Sequence, residues 1–121
     1  MITPYEDVPD RVAAFRATGD VTAADYEGTL IPTIREKLDR HEKVNLLYHL
    51  GPGFKGFTAG AMWDDAKLGL GHIASWDRIA LVSDVPWIRE VVRILAFVTP
   101  ATIRVFHDDE LPDAKVWVSA S

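Results

Sequence analysis

The chain has 121 residues, with 13 Lys and Arg against 18 Asp and Glu, a formal net charge of −5 and no cysteine. A length of this order suits one domain, spanning residues 1–121, that buries roughly 65% of the surface its unfolded form exposes, so no covalent staple is needed. The acidic balance disfavours nucleic-acid phosphates, and the missing thiols remove disulfides, cysteine nucleophiles and Cys-ligated metals, which fits a cytoplasmic location.

Met1 to Asp10 carries Glu6, Asp7 and Asp10 without an apolar core, so neither a signal nor a transit peptide is expected there. Ile2 to Tyr5 can add a short edge strand, and Arg11 to Thr18 is strand-compatible up to the turn signal Gly19-Asp20. Thr22 and Asp25 then form a capping-box pattern that opens a helix. Along it Tyr26, Leu30, Ile34 and Leu38 recur every four residues and predict an inward stripe. Pro32 lacks an amide and presses its ring toward the Gly28 carbonyl, which predicts a kink between Gly28 and Pro32 or a split into two helices.

Val44 to Leu50 and Ile79 to Val82 are nearly continuous apolar runs, as in adjacent central strands covered on both faces. Between them a second helix is expected to turn Ala59, Met62, Trp63, Ala66 and Leu70 to one side and to end at Gly69-Leu70-Gly71. Asp84 is the expected cap of a third helix, with Pro86 in its first turn and Trp87, Val91 and Leu95 as its packing stripe up to Thr99-Pro100. The apolar stretch Ile88 to Val98 is interrupted by Arg89, Glu90 and Arg93 and is too short to span a bilayer, so no membrane insertion is expected. A strand at Thr102 to Phe106 and a helix from about Glu110 to Val118 complete the alternation. The order implies an α/β domain with a mostly parallel sheet of four or five strands and about four helices.

Several segments in that order resemble one family. They are Gly19-Asp20-Val21-Thr22 with Asp25-Tyr26-Glu27 and Leu30-Ile31-Pro32, then Phe54-Lys55-Gly56-Phe57 with Gly60-Ala61-Met62-Trp63 and Asp64-Asp65. The match continues through Trp76-Asp77-Arg78-Ile79-Ala80-Leu81-Val82 and Asp84-Val85-Pro86-Trp87 to Ala114 and Trp117. Together they are similar to the SpoIIAA-like proteins, within the wider STAS and SEC14-type group. The resemblance implies a STAS-like fold. In anti-sigma-factor antagonists of that group an Asp-Ser pair carries the phosphorylated serine; here the stretch reads Gly56-Phe57-Thr58, which makes Thr58 the candidate phosphoacceptor.

Gly51-Pro52-Gly53-Phe54-Lys55-Gly56 matches G-x-G-x-x-G in letters, yet Pro52 has no amide to offer a phosphate and Phe57 stands where a phosphate loop needs lysine. A glycine-permitted turn is the better reading, and no cofactor is expected. Asp64 and Asp65 are adjacent and diverge by about 100° on a helix, so they are read as solvated, Asp64 with Lys67 as a surface pair. His41, His49, His72 and His107 lack helical metal-ligand spacing, so no metal is expected, and His49 is read as a hydrogen-bonded core histidine. No serine stands in a nucleophile-elbow pattern, so no catalytic residue is assigned and the chain is read as non-enzymatic. Trp63, Trp76, Trp87 and Trp117 are expected at helix and sheet contacts, or, with Phe54 and Phe57, lining an apolar pocket or partner surface.

The binding candidates are therefore Phe54, Gly56, Phe57, Thr58, Trp63, His72 and Trp76. They would serve a binding or regulatory module that meets a protein partner or, alternatively, a carrier of a small apolar or lipid-like ligand. A homodimer through a sheet edge or helix face would be ordinary at this size.

Overall fold

A computed structural model describes residues 1–71, 76–97 and 99–120, with residues 66 and 68–71 described by backbone alone. Among these residues the strands β1 (Ile2–Pro4), β2 (Val12–Val21), β3 (Val44–Phe57), β4 (Trp76–Val82) and β5 (Thr102–Phe106) form one sheet in chain order. β1 is antiparallel to β2 and every later pairing is parallel. The two apolar runs expected at the centre are neighbours, with Leu46 opposite Ile79 and Tyr48 opposite Leu81.

Parallel neighbours taken in order require crossovers, and crossovers of one hand all return over the same face. That face carries α1 (Ala23–Asp25), a π turn (Tyr26–Leu30), α2 (Ile31–Arg40), α3 (Ala59–Gly71) and α4 (Pro86–Leu95). Its core joins Phe15, Val44, Tyr48 and Leu50 of the sheet to Tyr26, Leu30, Ile34, Ala61 and Ile88 of the helices. The opposite face is covered by α5 (Leu111–Ser119), reached through a 3-10 turn at Asp108–Glu110, which buries Ala114 and Val118 against Val12, Leu47, Ala80 and Phe106.

The first helical segment follows the sequence closely. Thr22 Oγ1 accepts the Asp25 amide at 3.3 Å while Asp25 Oδ2 accepts the Thr22 amide at 2.9 Å, closing the capping box. The kink expected before Pro32 is the π turn, whose last amide, that of Ile31, reaches back to the Tyr26 carbonyl and lets the proline ring clear the preceding turn.

Other elements depart from expectation. β2 does not stop at Gly19-Asp20 but runs to Val21, its register against β3 shifting on both sides of Gly19, which takes φ 64°. β3 likewise runs through Gly51-Pro52-Gly53, so Phe54 to Phe57, read as a loop, lie in a strand. Pro52 is tolerated there because β3 outruns β4, whose last paired residue, Val82, stands opposite His49. Among the described side chains of α3 the inward ones are Ala61 and Asp64, whereas Ala59, Met62 and Trp63 face out; the side chains of Ala66 and Leu70, also expected in the stripe, lie outside the described residues. α4 is capped by Val85 without a side-chain bond, Asp84 being engaged elsewhere, and it turns Ile88 inward. Trp87, Val91 and Leu95, the stripe expected to pack, are exposed. No helix among the described residues is long and apolar enough to cross a membrane.

Candidate functional site

The end of β3 gathers several of the candidate residues. Phe54 and Phe57 are half-buried with ring centroids 5.0 Å apart, and Phe57 meets Tyr48 edge-on at 6.5 Å. Thr58 follows as the cap of α3, its Oγ1 accepting the Ala61 amide at 3.2 Å while its own amide donates to Val21 at 2.9 Å. A side-chain carbon added at Gly56 would meet nothing within 4 Å. Trp63 is exposed on α3, but Trp76 lies in the sheet core opposite Val44 and presents no surface to a partner. His72 lies outside the described residues.

Beside the phenylalanines is a polar chain that the sequence did not reveal. The hydroxyl of Tyr26, fully buried, donates to Asp65 Oδ1 at 2.9 Å, and Tyr48 donates in turn to the Tyr26 oxygen at 3.0 Å. Asp65 is thus tied to the core rather than simply solvated, although the residue keeps an exposed flank. Loss of water around its carboxyl pushes its pKa up, outweighing the Tyr26 bond. Burial also raises both tyrosines, so the two hydroxyls stay neutral donors. One signal pointed here: a core tyrosine needs a partner for its hydroxyl. Asp64, read as half of a surface pair, is buried with Lys67 3.7 Å away, and its Oδ2 has no hydrogen bond among the described residues.

A second polar group sits at the carboxyl ends of the strands on the α5 face. His49, buried as expected, meets the Tyr5 hydroxyl through Nδ1 at 2.9 Å and faces Asp108 Oδ1 through Nε2 at 3.3 Å. Burial lowers the His49 pKa, with Asp108 opposing the shift, and burial raises that of Asp108. A methyl at Gly51 would come within 2.8 Å of His49 Nε2, so the first glycine of the G-x-G-x-x-G letters makes room for an imidazole. Nearby, Asp84 Oδ1 bonds His107 Nδ1 at 2.9 Å and accepts the Asp108 amide at 3.2 Å, while Arg89 donates to the Ser83 and Phe106 carbonyls. Bonding to His107 holds the Asp84 carboxyl below the usual carboxylate range. These groups spend their hydrogen bonds on joining β4 to β5 and to the 3-10 turn, which is structural work.

The outer surface of α3 and α4 has the opposite character. Trp63 is 66% exposed, Trp87 52%, Ile94 66% and Phe97 90%, and Met62, Val91 and Leu95 are exposed with them. An open depression of about 300 Å³ runs between α4 and β5, lined by Val92, Ala96, Phe97, Ile103 and Val105 with Arg93 among them. Of this surface, Trp63 alone was among the candidates. Spacing assigned Met62, Trp87, Val91 and Leu95 to packing stripes instead, α4 being apolar on more than one side.

A sequence profile of the SpoIIAA-like family matches residues 12–119. No curated protein sequence matches the chain. Among solved structures, an uncharacterised protein of the DUF3478 family with a SpoIIAA-like fold, from Shewanella loihica PV-4, superposes with a TM-score of 0.76 at 27% identity, over 98% of this chain and 90% of that one. With the profile spanning nearly all of the sheet and its helices, the chain belongs to the SpoIIAA-like family.

Proposed function

We propose that the chain is a non-enzymatic binding or regulatory module that docks a protein partner on the apolar outer surface of α3 and α4. The observation behind this reading is the exposure of Met62, Trp63, Trp87, Val91, Ile94, Leu95 and Phe97. Large apolar side chains left this exposed on a small domain suit a surface that another molecule covers. Thr58, exposed at the start of α3, is the proposed phosphoacceptor: a phosphate there would gain from the helix dipole and add charge beside the docking surface. The cysteine-free sequence supports a cytoplasmic setting.

The test is a paired capture from native lysate with wild-type bait and a Trp87→Ser/Ile94→Ser bait of unchanged melting temperature. A partner retained by the first and lost by the second is the expected result; identical recoveries would overturn the assignment of this surface. The depression beside Phe97 favours a second reading, a carrier of a small apolar or lipid-like ligand. Native mass spectrometry of freshly purified protein tests it, a co-purifying apolar mass supporting the carrier and the bare chain alone counting against it.

A further inference from the structure

We infer that the free edge of β5 takes a sixth strand from another protein, an extended antiparallel segment with an acidic residue opposite Arg104 and an apolar residue on either side of it. This goes beyond the docking reading and does not depend on the α3 and α4 surface. β5 ends the sheet, with β4 as its one neighbour among the described strands. The Phe106 carbonyl accepts the Ser83 amide at 3.0 Å, so Phe106 turns its backbone groups toward β4, and by the two-residue period of a strand Arg104 does the same. Ile103 and Val105 therefore point their amides and carbonyls away from the sheet. The bare stretch is bounded at both ends: the Ala101 amide donates to Thr99 Oγ1 at 3.3 Å, and that of His107 to Glu110 Oε1 at 2.7 Å. Between them the amides and carbonyls of Ile103 and Val105 have no partner among the described residues, and these are the groups from which two hydrogen-bonded pairs of an antiparallel ladder are made.

The side chains specify what the added strand must carry. Ile103 and Val105 face α4, where they line the depression with Val92, Ala96 and Phe97, and Arg104 faces the α5 side, its guanidinium 4.9 Å from the Phe106 ring centroid. Arg104 is exposed and has no carboxylate partner among the described residues, in a chain of net charge −5. In an antiparallel sixth strand the residue facing Arg104 occupies the close, non-hydrogen-bonded position, where an opposite charge attracts and a like charge repels. The two residues flanking it turn to the other face and reach over the depression. A second copy of this chain does not meet that requirement: pairing β5 with itself about a two-fold axis through the same backbone groups sets Arg104 against Arg104. The occupant is therefore an extended segment that reads apolar, acidic, apolar.

Amide NMR of the full chain, titrated with two blocked threonine-rich peptides of about seven residues, tests the inference; one has valine, glutamate, valine at its centre and the other has lysine in place of the glutamate. At concentrations up to about 1 mM, which suit one short strand, the glutamate peptide is expected to bind and to shift the Ile103 and Val105 amides most. It should bind roughly five-fold or more tightly than the lysine peptide. Arg104→Glu should reverse that preference, with unchanged circular dichroism because the side chain is exposed. N-methylation of the two valines, whose amides face β5 in the antiparallel pairing, should abolish binding. Absence of binding by the glutamate peptide overturns the edge site, and binding indifferent to N-methylation overturns the strand pairing. Equal binding of the two peptides, or a preference that survives Arg104→Glu, overturns the acidic occupant. Trp87→Ser/Ile94→Ser should bind the glutamate peptide as the wild type does; loss of binding there, with the Ile103 and Val105 amides unmoved in the wild type, would sink the edge site and leave the α3 and α4 surface standing.

Discussion

The two faces of the sheet treat exposed chemistry in opposite ways. Under α5 three carbonyls of the last turn, where a helix runs out of amide partners, accept from side chains in or beside the sheet: Trp117 from Arg78 at 2.8 Å, Val118 from Asn45 at 2.7 Å and Ser119 from Arg11 at 2.8 Å. Asn45 also accepts the Arg78 amide at 3.0 Å, and the two arginines place positive charge at the negative end of the helix. On the other face α3 and α4 are anchored on their inner sides, by the Tyr26–Asp65 bond and by Arg89, while on their outer sides tryptophans and a phenylalanine stand in water. A helix fixed by directional bonds at its end has one position, whereas a surface of uncommitted apolar side chains is available to another molecule. The contrast separates the part of the molecule that maintains the fold from the part that can be spent on recognition.

A large effect should come from cutting the tethers of α5. Asn45→Ala removes a side chain only 1% exposed and leaves the Val118 carbonyl and the Arg78 amide unsatisfied in the interior, a loss of about 2 to 3 kcal/mol. Urea denaturation should show a lower midpoint with an unchanged slope. A variant as stable as the wild type would mean that α5 is held by apolar contact alone, and the contrast between faces would lose its physical basis.

A smaller effect, with a defined sign, is expected at Asp65. Its pKa lies above the unfolded value of 3.8, so between 3.8 and the raised value the native state holds the extra proton. Its contribution to stability is therefore greatest at low pH and declines as pH rises through the folded pKa. Asp65→Asn keeps an acceptor for the Tyr26 hydroxyl and removes the charge. Thermal midpoints should show the variant ahead of the wild type near neutrality, with the advantage shrinking toward pH 4. The opposite trend would show that the Tyr26 bond, which lowers the pKa, dominates over desolvation.

Much of the frame was legible because its signals are local. The apolar runs around Leu47 and Ala80 have the length and composition of covered strands, the capping box at Thr22 and Asp25 needs no tertiary help, and Pro32 forces an irregular turn wherever the helix lies. What escaped the sequence depends on partners far along the chain. Tyr26 and Asp65 are 39 residues apart, and nothing in their spacing brings them together. The strand through Gly51-Pro52-Gly53 looked like a turn because the sequence does not say that β3 outruns β4. Among the described side chains of α3 the inward ones are a small alanine and an aspartate, so the larger Met62 and Trp63 drew the expected stripe away from them.

The same ambiguity in α4 gives the smallest and most discriminating prediction. Ile88, 4% exposed, and half-buried Val92 form one apolar side, and Trp87, Val91 and Leu95 form another, so either could be the packing side by periodicity alone. The two readings separate when one residue from each side is changed to serine. Ile88→Ser should cost roughly 3 kcal/mol or more, since it opens a cavity and buries a hydroxyl. Trp87→Ser should change stability by less than about 0.5 kcal/mol, as substitutions on open surface do. The near-zero result carries the greater weight. A Trp87→Ser variant destabilised as much as Ile88→Ser would place the indole inside the fold, and the surface assigned to recognition would shrink to Ile94 and its neighbours, too narrow to hold a partner.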